Sequence, residues 1–313
     1  MWMKKNNKTI YCLALALIMA ALSSAMFVQA QTPPPRLLTL NPPTGLPVIP
    51  IMEGWYGNPD GSVTISFGYL NRNTQEAVDI PVGPDNFLEP AQFNGNQPTH
   101  FDTQRHIGAF TITLPPEMRS ESVWWTIKTG NNGVLKVPGR ADSGAYELDR
   151  NPRPQGTVEP LAWLEEGGKK GVGPEGVTGS LAAPVKAGAP VTFTVHTMDP
   201  SARDNEDPRF KEPLSLRVNW FHHQGPGSVE FTRHEDHPLP ELSAEESARQ
   251  RVPPAPSLVT LPKPEGSAKV VATFSEPGDY ILRARIDNWN APDSSAGNQC
   301  CWTNVYQKVT VEP

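Results

Sequence analysis

The chain has 313 residues, 33 of them acidic and 27 basic, for a formal net charge of −6. Its Lys and Arg are scattered along the sequence, which excludes a nucleic-acid binder, because phosphate-backbone recognition rests on concentrated positive charge. With 35 prolines and 25 glycines and little helical periodicity, the composition points to short strands between turns.

The first thirty residues read as an export signal. Lys4, Lys5 and Lys8 precede an apolar run over residues 10–26, and Val28-Gln29-Ala30 places small residues at a cleavage site. The competing reading is an uncleaved anchor, since the run approaches the ~18 to 20 residues a span needs; the cleavage site directly behind it favours removal. Cleavage after Ala30 leaves 313 − 30 = 283 residues, and losing three lysines takes the net charge from −6 to −9. No later run has membrane length, so the expected location is exported, periplasmic or extracellular, with no membrane span after cleavage.

Residues 31–52 are punctuated by proline and are expected to be extended. Alternation then begins: in VTISFGYL, Val63, Ile65, Phe67 and Tyr69 share one face, the period-two signature of a half-buried strand. FTITL, VWWTIKT and VLKV repeat it, so residues 53–150 are expected to form one β-sandwich domain. Residues 151–177 are small, charged or glycine-rich and read as a linker with at most one short strand, tacked to a neighbour by Trp163 and Leu164. PVTFTVHTM, LSLRVNWF, SVEFT, AKVVATF, YILRARID and VYQKVTV then supply strands for a second sandwich over residues 178–313. Ser243 with Glu246 three residues on suggests a capped short helix between them. The fold class is therefore all-β, two antiparallel β-sandwich domains behind a cleaved signal.

The stretch ATFSEPGDYILRARI, closed by YQKVTV, resembles the last strands of bacterial immunoglobulin-like and PKD-type domains. Trp220 in VNWF resembles the core tryptophan of their third strand. The resemblance covers residues 178–313 and implies an immunoglobulin-like sandwich; such folds host many roles. Two departures stand out: WFHHQGPG replaces the family's Trp-Asp-Phe-Gly-Asp-Gly, and no distant cysteine pair is present to bridge the sheets. The first half, including QPTHF at residues 97–101, resembles exported bacterial proteins with the same two-part plan.

Once Cys12 leaves with the signal, Cys300 and Cys301 are the only thiols. A disulfide within one chain then joins neighbours whose α-carbons lie about 3.8 Å apart, below the usual ~4.4 to 6.8 Å, and it closes almost no loop. Three readings stay open: a vicinal disulfide that shapes the loop, two thiols packed as small apolar groups, or metal ligation or a bridge between chains.

Trp289, Trp302, Asp287 and Asp293 share that loop region and form a candidate binding surface. In sandwich topology it lies at the same end as Asp199, Asp204, Glu206 and Asp207, and the SVEFT strand is expected to deliver His234 and His237 there too. Calcium would suit the carboxylates; zinc or copper would suit imidazole and thiolate. The bland alternative is a set of solvated acidic turns. His222 and His223 fall at the far end of their strand, away from this group. His100, Asp102, Arg105 and His106 cluster in the first half, where they serve either acid–base chemistry or hydrogen bonds to backbone. No nucleophile elbow, zincin or phosphate-loop motif is present.

The whole reads as an exported, non-catalytic binding, surface-interaction or envelope-scaffold protein meeting a protein or carbohydrate ligand at the cell envelope. The alternatives are a metal-binding or redox-linked accessory protein using the cysteine pair, and a hydrolase built on the first half's histidines. The intact mass of the mature chain after alkylation without reductant sorts the cysteine readings. No added groups on a monomer is the outcome expected of a vicinal disulfide, and two added groups the outcome expected of free thiols.

Overall fold

The computed structural model describes residues 42–148, 157–212, 214–239, 253–288 and 302–313. In chain order the strands are β1 (Val48–Gly57), β2 (Val63–Asn71), β3 (Val78–Asp79), β4 (Asn86–Glu89), β5 (His100–Phe101), β6 (Gln104–Leu114), β7 (Val123–Lys128) and β8 (Val134–Gly139). They are followed by β9 (Leu161–Trp163), β10 (Val177–Ser180), β11 (Val185–Lys186), β12 (Val191–Met198) and β13 (Leu216–Gln224). The last are β14 (Val229–Arg233), β15 (Leu258–Leu261), β16 (Glu265–Phe274), β17 (Gly278–Asp287) and β18 (Trp302–Glu312). The chain is all-β, and its regular structure beyond strands is limited to 3-10 turns among the described residues. The helix expected near Ser243 lies outside them.

The apolar alternation read along β2, β6 and β7 builds the first core. Sheet β1-β2-β6 and sheet β4-β7-β8 enclose Ile65, Phe67, Phe110, Trp125 and Ile127. Phe67 stacks on Phe110 at 5.1 Å between centroids, and Trp125 meets Phe110 edge-on at 4.8 Å. Residues 48–52, expected to be merely extended, belong to β1. Pro50 is tolerated there because β1 is the edge strand of its sheet, laddered on β2 on one side and bridged on the other only at Trp55 among the described residues, so the missing N–H faces away from the ladder.

The second core lies between the six-stranded sheet β10-β18-β17-β13-β15, with β11 also on β18, and the four-stranded sheet β14-β16-β12-β9. Phe193, Val218, Trp220, Val270, Phe274, Leu282 and Ile286 fill it, one inward residue at every second position. Two strands depart from a purely antiparallel sandwich. Strands β10 and β11 run parallel to β18; they are distant from it in sequence and are not joined to it by a hairpin, which would make the pair antiparallel. Within residues 157–177, β9 pairs with β12 and buries Ala162 in this core.

The contact between the sandwiches starts from a bulge. Phe67 pairs with Phe110 and Tyr69 with His106, so Gly68 alone spans Ile107, Gly108 and Ala109 on β6. The bulge turns backbone carbonyls outward, and Gly108 adopts φ +58°. A Cβ built on Gly108 would lie 2.6 Å from the Trp302 indole. Gly108→Ala is therefore expected to lower the thermal midpoint more than Gly45→Ala. Gly45 also has positive φ, +76°, but open space around it, so it carries only the left-handed backbone cost of about 1–2 kcal/mol. Equal losses in a melting experiment would show that the Trp302 seat is not what holds the halves together.

Candidate functional site

Three strands of the six-stranded sheet turn a grid of side chains toward that bulge. Antiparallel register sets Arg217 opposite Asp287, Asn219 opposite Arg285 and Phe221 opposite Arg283 across β13 and β17. It then sets Asp287 opposite Trp302, Arg285 opposite Asn304 and Arg283 opposite Tyr306 across β17 and β18. Because side chains alternate between faces, all nine project from the sheet's outer face, away from the core.

The grid closes on the bulged edge of β6 carbonyl by carbonyl. Arg285 Nη1 donates to the Ile107 oxygen at 3.2 Å, and Arg283 Nη1 and Asn304 Nδ2 donate to the Gly108 oxygen at 3.1 and 2.9 Å. The Tyr306 hydroxyl donates to the Ala109 oxygen at 3.0 Å. An exposed strand edge invites pairing with another chain; here side-chain donors cover it. The guanidiniums also lie over aromatic rings, Arg283 at 4.4 Å from the Phe221 centroid and Arg285 at 4.9 Å from that of Trp302. Where grid and edge diverge they leave a cleft of about 570 Å³, lined by residues 103–107, Arg217, Asn219, Phe221, Leu258, Arg283, Arg285 and Asp287.

A histidine cluster flanks the cleft. A register slip between His222 and Gln224 in β13 lets both His222 and His223 bury. His223 Nε2 donates to the Asn96 carbonyl at 2.9 Å, and the Thr99 amide donates to the His223 carbonyl at 2.9 Å. His222 stacks on His100 at 4.2 Å between centroids. His100 Nδ1 donates to Asp79 at 2.7 Å and Nε2 to Asp102 at 3.3 Å. Burial works against charge on His100, but the hydrogen bonds and charges of Asp102 and Asp79 outweigh it and raise its pKa to about 9. Burial, then the charge of His100, pushes His222 down to about 4. Burial, then Arg283, pushes His106 to about 4 and His223 to about 3. Both His222 ring nitrogens are buried, and among the described residues neither has a partner at hydrogen-bond geometry.

The structure separates the residues singled out in the sequence. Asp287 lines the cleft. Trp302, expected on an exposed contact surface, is 1% exposed: the outer face of β18 is covered by the first sandwich, and the indole packs on Gly108. Cys300, Cys301, Trp289 and Asp293 lie outside the described residues. Asp199 accepts from Ser201 and, at 2.8 Å, from Arg203, with Asn288 Nδ2 at 3.3 Å. Asp204 and Asp207 cap their own turns through the Glu206 and Arg209 amides, and Glu206 is exposed.

His234 and His237 do not reach that end. His237 Nε2 accepts the Lys269 amide at 3.0 Å, four residues along β16 from Glu265, the strand partner of Met198 beside Asp199. That is roughly 13 Å by strand rise. Among the described residues no three His, Cys, Asp or Glu side chains converge as metal ligands. Of the first-half cluster, His106 Nε2 donates to the Thr103 carbonyl at 3.0 Å and Arg105 holds Glu53 bidentately at 2.6 and 2.7 Å.

Sequence reading missed the grid itself. Its signal was present in LRVNWF and YILRARID, where Arg, Asn and Asp occupy every second position; on an antiparallel sheet such a face reads as solvated.

No family model matches the sequence, and no curated protein matches it. Among solved structures, the chain is similar to the D0-D1 domain of intimin, with 13% identity, 83% of this chain and 97% of that one covered, and a TM-score of 0.21. It is similar to CfaE, the adhesive subunit of CFA/I fimbria of enterotoxigenic Escherichia coli (10% identity, 85% and 87% covered, TM-score 0.24). It is also similar to an ASH/PapD-like domain of human CEP192 (8% identity, 50% and 87% covered, TM-score 0.24). Likenesses at such low TM-scores decide neither role nor ligand.

The histidines make stability depend on pH from both sides. Taking an unfolded value of about 6.5, His106 and His222 have lowered folded values. The unfolded chain therefore takes up protons first, and stability is lost as pH falls from about 6.5 toward 4. His100 has a raised folded value, so its contribution is complete below about 6.5 and is lost as pH rises toward 9. The thermal midpoint is expected to peak between these limits. His222→Phe keeps a ring against His100, removes two buried ring nitrogens and is expected to flatten the acid side. An unchanged acid limb in that variant would rule out His222 as its source.

Proposed function

We propose that this chain is an exported, non-catalytic binding protein of the cell envelope, and that the cleft between its sandwiches is the surface that meets its ligand. The observation that carries this is the way the cleft is built. Its walls are paired strands, β13 and β17 on one side and the β6 edge on the other, and the two are tied by Arg283, Arg285, Asn304 and Tyr306 to consecutive carbonyls. A preformed concave surface on rigid elements binds without ordering its own side chains on contact.

The chemistry of the neighbouring histidines supports binding over catalysis. His100 is held protonated at neutral pH and has no lone pair with which to take a proton. His106 spends Nε2 on a backbone carbonyl. The signal-like first thirty residues support export, and no helix among the described residues is long and apolar enough to cross a membrane.

Fractionating the cells that make the protein and weighing the intact chain tests export; the expected product begins at Gln31. Purified mature protein carrying a fluorescent label is expected to sediment with washed envelope fragments of those cells, saturably and in competition with unlabelled protein. A full-length chain confined to the cytoplasm, or no saturable retention, would overturn the proposal.

A further inference from the structure

We infer that the cleft is a site for a small polyanion, a molecule carrying two or more carboxylate or phosphate groups held by the guanidiniums of Arg217, Arg283 and Arg285. The inference rests on the cleft being the ligand surface, and it names the ligand's chemistry. Among the described residues the lining holds four arginines and one carboxylate, Asp287. Arg105 is matched by Glu53 through two short bonds. Asp287 lies 3.2 Å from Arg217 Nη2 and 3.8 Å from Arg285 Nε, and Arg283 does not reach it.

Arg283 is 2% exposed and has no carboxylate in ion-pair contact among the described residues. Its Nη1 serves Gly108 and Asn304, while its Nε, like that of Arg285, has no hydrogen-bond partner. Asp102 acts on it only through space and is hydrogen-bonded to His100. A guanidinium taken out of water without a counter-ion is costly, and an anion in the cleft would offset part of that cost. Protein carbonyls and rings hold Arg283 in place but bring no negative charge.

Size and surroundings choose the occupant. About 570 Å³ falls within the roughly 300–1,000 Å³ of small-molecule sites, and Phe221 and Leu258 give the cleft an apolar wall. Arginine on three neighbouring strand positions presents planar forks suited to oxyanions with more than one negative group. The chain around this patch is acidic, net −6. It therefore repels an extended polyanion while the cleft attracts a small one.

The test is isothermal titration of the mature protein with citrate and, separately, with inorganic phosphate, at ionic strength held constant with sodium chloride. Glucose serves as the neutral comparison. One citrate is expected to bind with a Kd below about 1 mM, a modest affinity by the usual arithmetic. Arg217→Gln should weaken it at least tenfold, and exposed Arg140→Gln, outside the cleft, should leave it unchanged. Asp287→Asn, which removes the one carboxylate among the described lining residues, should tighten it; a purely structural role for these side chains would not move affinity in that direction. Circular dichroism melts establish that each variant is folded.

Tighter binding of citrate than phosphate assigns the site to carboxylates, and the reverse order to phosphates. Saturable binding of neither anion, or binding by folded Arg217→Gln equal to that of the parent, would overturn the inference. If anions fail while labelled protein still sediments with envelopes, the polyanion site falls and the binding role stands. If retention is lost too, both fall.

Discussion

The structure hangs on one small irregularity, the bulge at Ile107, Gly108 and Ala109 on β6. A regular strand would carry its outward carbonyls past the second sandwich at a pitch the grid of β13, β17 and β18 cannot match. The bulge gathers the Ile107, Gly108 and Ala109 carbonyls into a short arc, and Gly108 at positive φ brings the backbone against the Trp302 ring with no Cβ between. Four side chains on two neighbouring strands then meet three consecutive acceptors. An exposed edge strand, normally a liability, becomes the docking surface of the molecule.

That docking is polar where each sandwich's own core is apolar, and the difference has consequences. An apolar contact tolerates sliding, because dispersion and hydrophobic burial are not directional. A contact made of guanidinium and amide hydrogen bonds is specific in register, because a buried donor left without its acceptor is costly. The same requirement brings charge into the interface. Arginine reaches far and donates in a planar fork, so it can satisfy carbonyls with one nitrogen while its charge stays at the cleft. The seam that fixes the geometry therefore also sets the electrostatics of the site, and the histidines beside it divide between a charged His100 and neutral His106, His222 and His223.

Much of the fold was legible because sandwich strands are half-buried. Ile65 and Phe67 on β2, Val218 and Trp220 on β13, and Leu282, Ala284 and Ile286 on β17 alternate with polar residues, and period two needs no knowledge of partners. Short elements with little pattern, β3, β4, β5 and β15, were not legible, because two to four residues carry no period. β1 was read as merely extended over residues 48–52, because proline argues against a central strand and the sequence does not say which strands are edges.

The sequence by itself determined the all-β class and the inward face of each long strand, because those follow from local alternation and the hydrophobic effect acting on single residues. It also displayed Arg217, Arg283 and Arg285 on outward positions without assigning them, and singled out Asp287 for a binding surface. Only the tertiary structure decided that this outward face is covered, that Trp302 is interior, and that His100 and His222, 122 residues apart (222 − 100), stack ring on ring. The physical reason is that outward polar residues are equally stable in water and against a matching set of backbone carbonyls. Which of the two they meet depends on a second sandwich whose position no local pattern encodes.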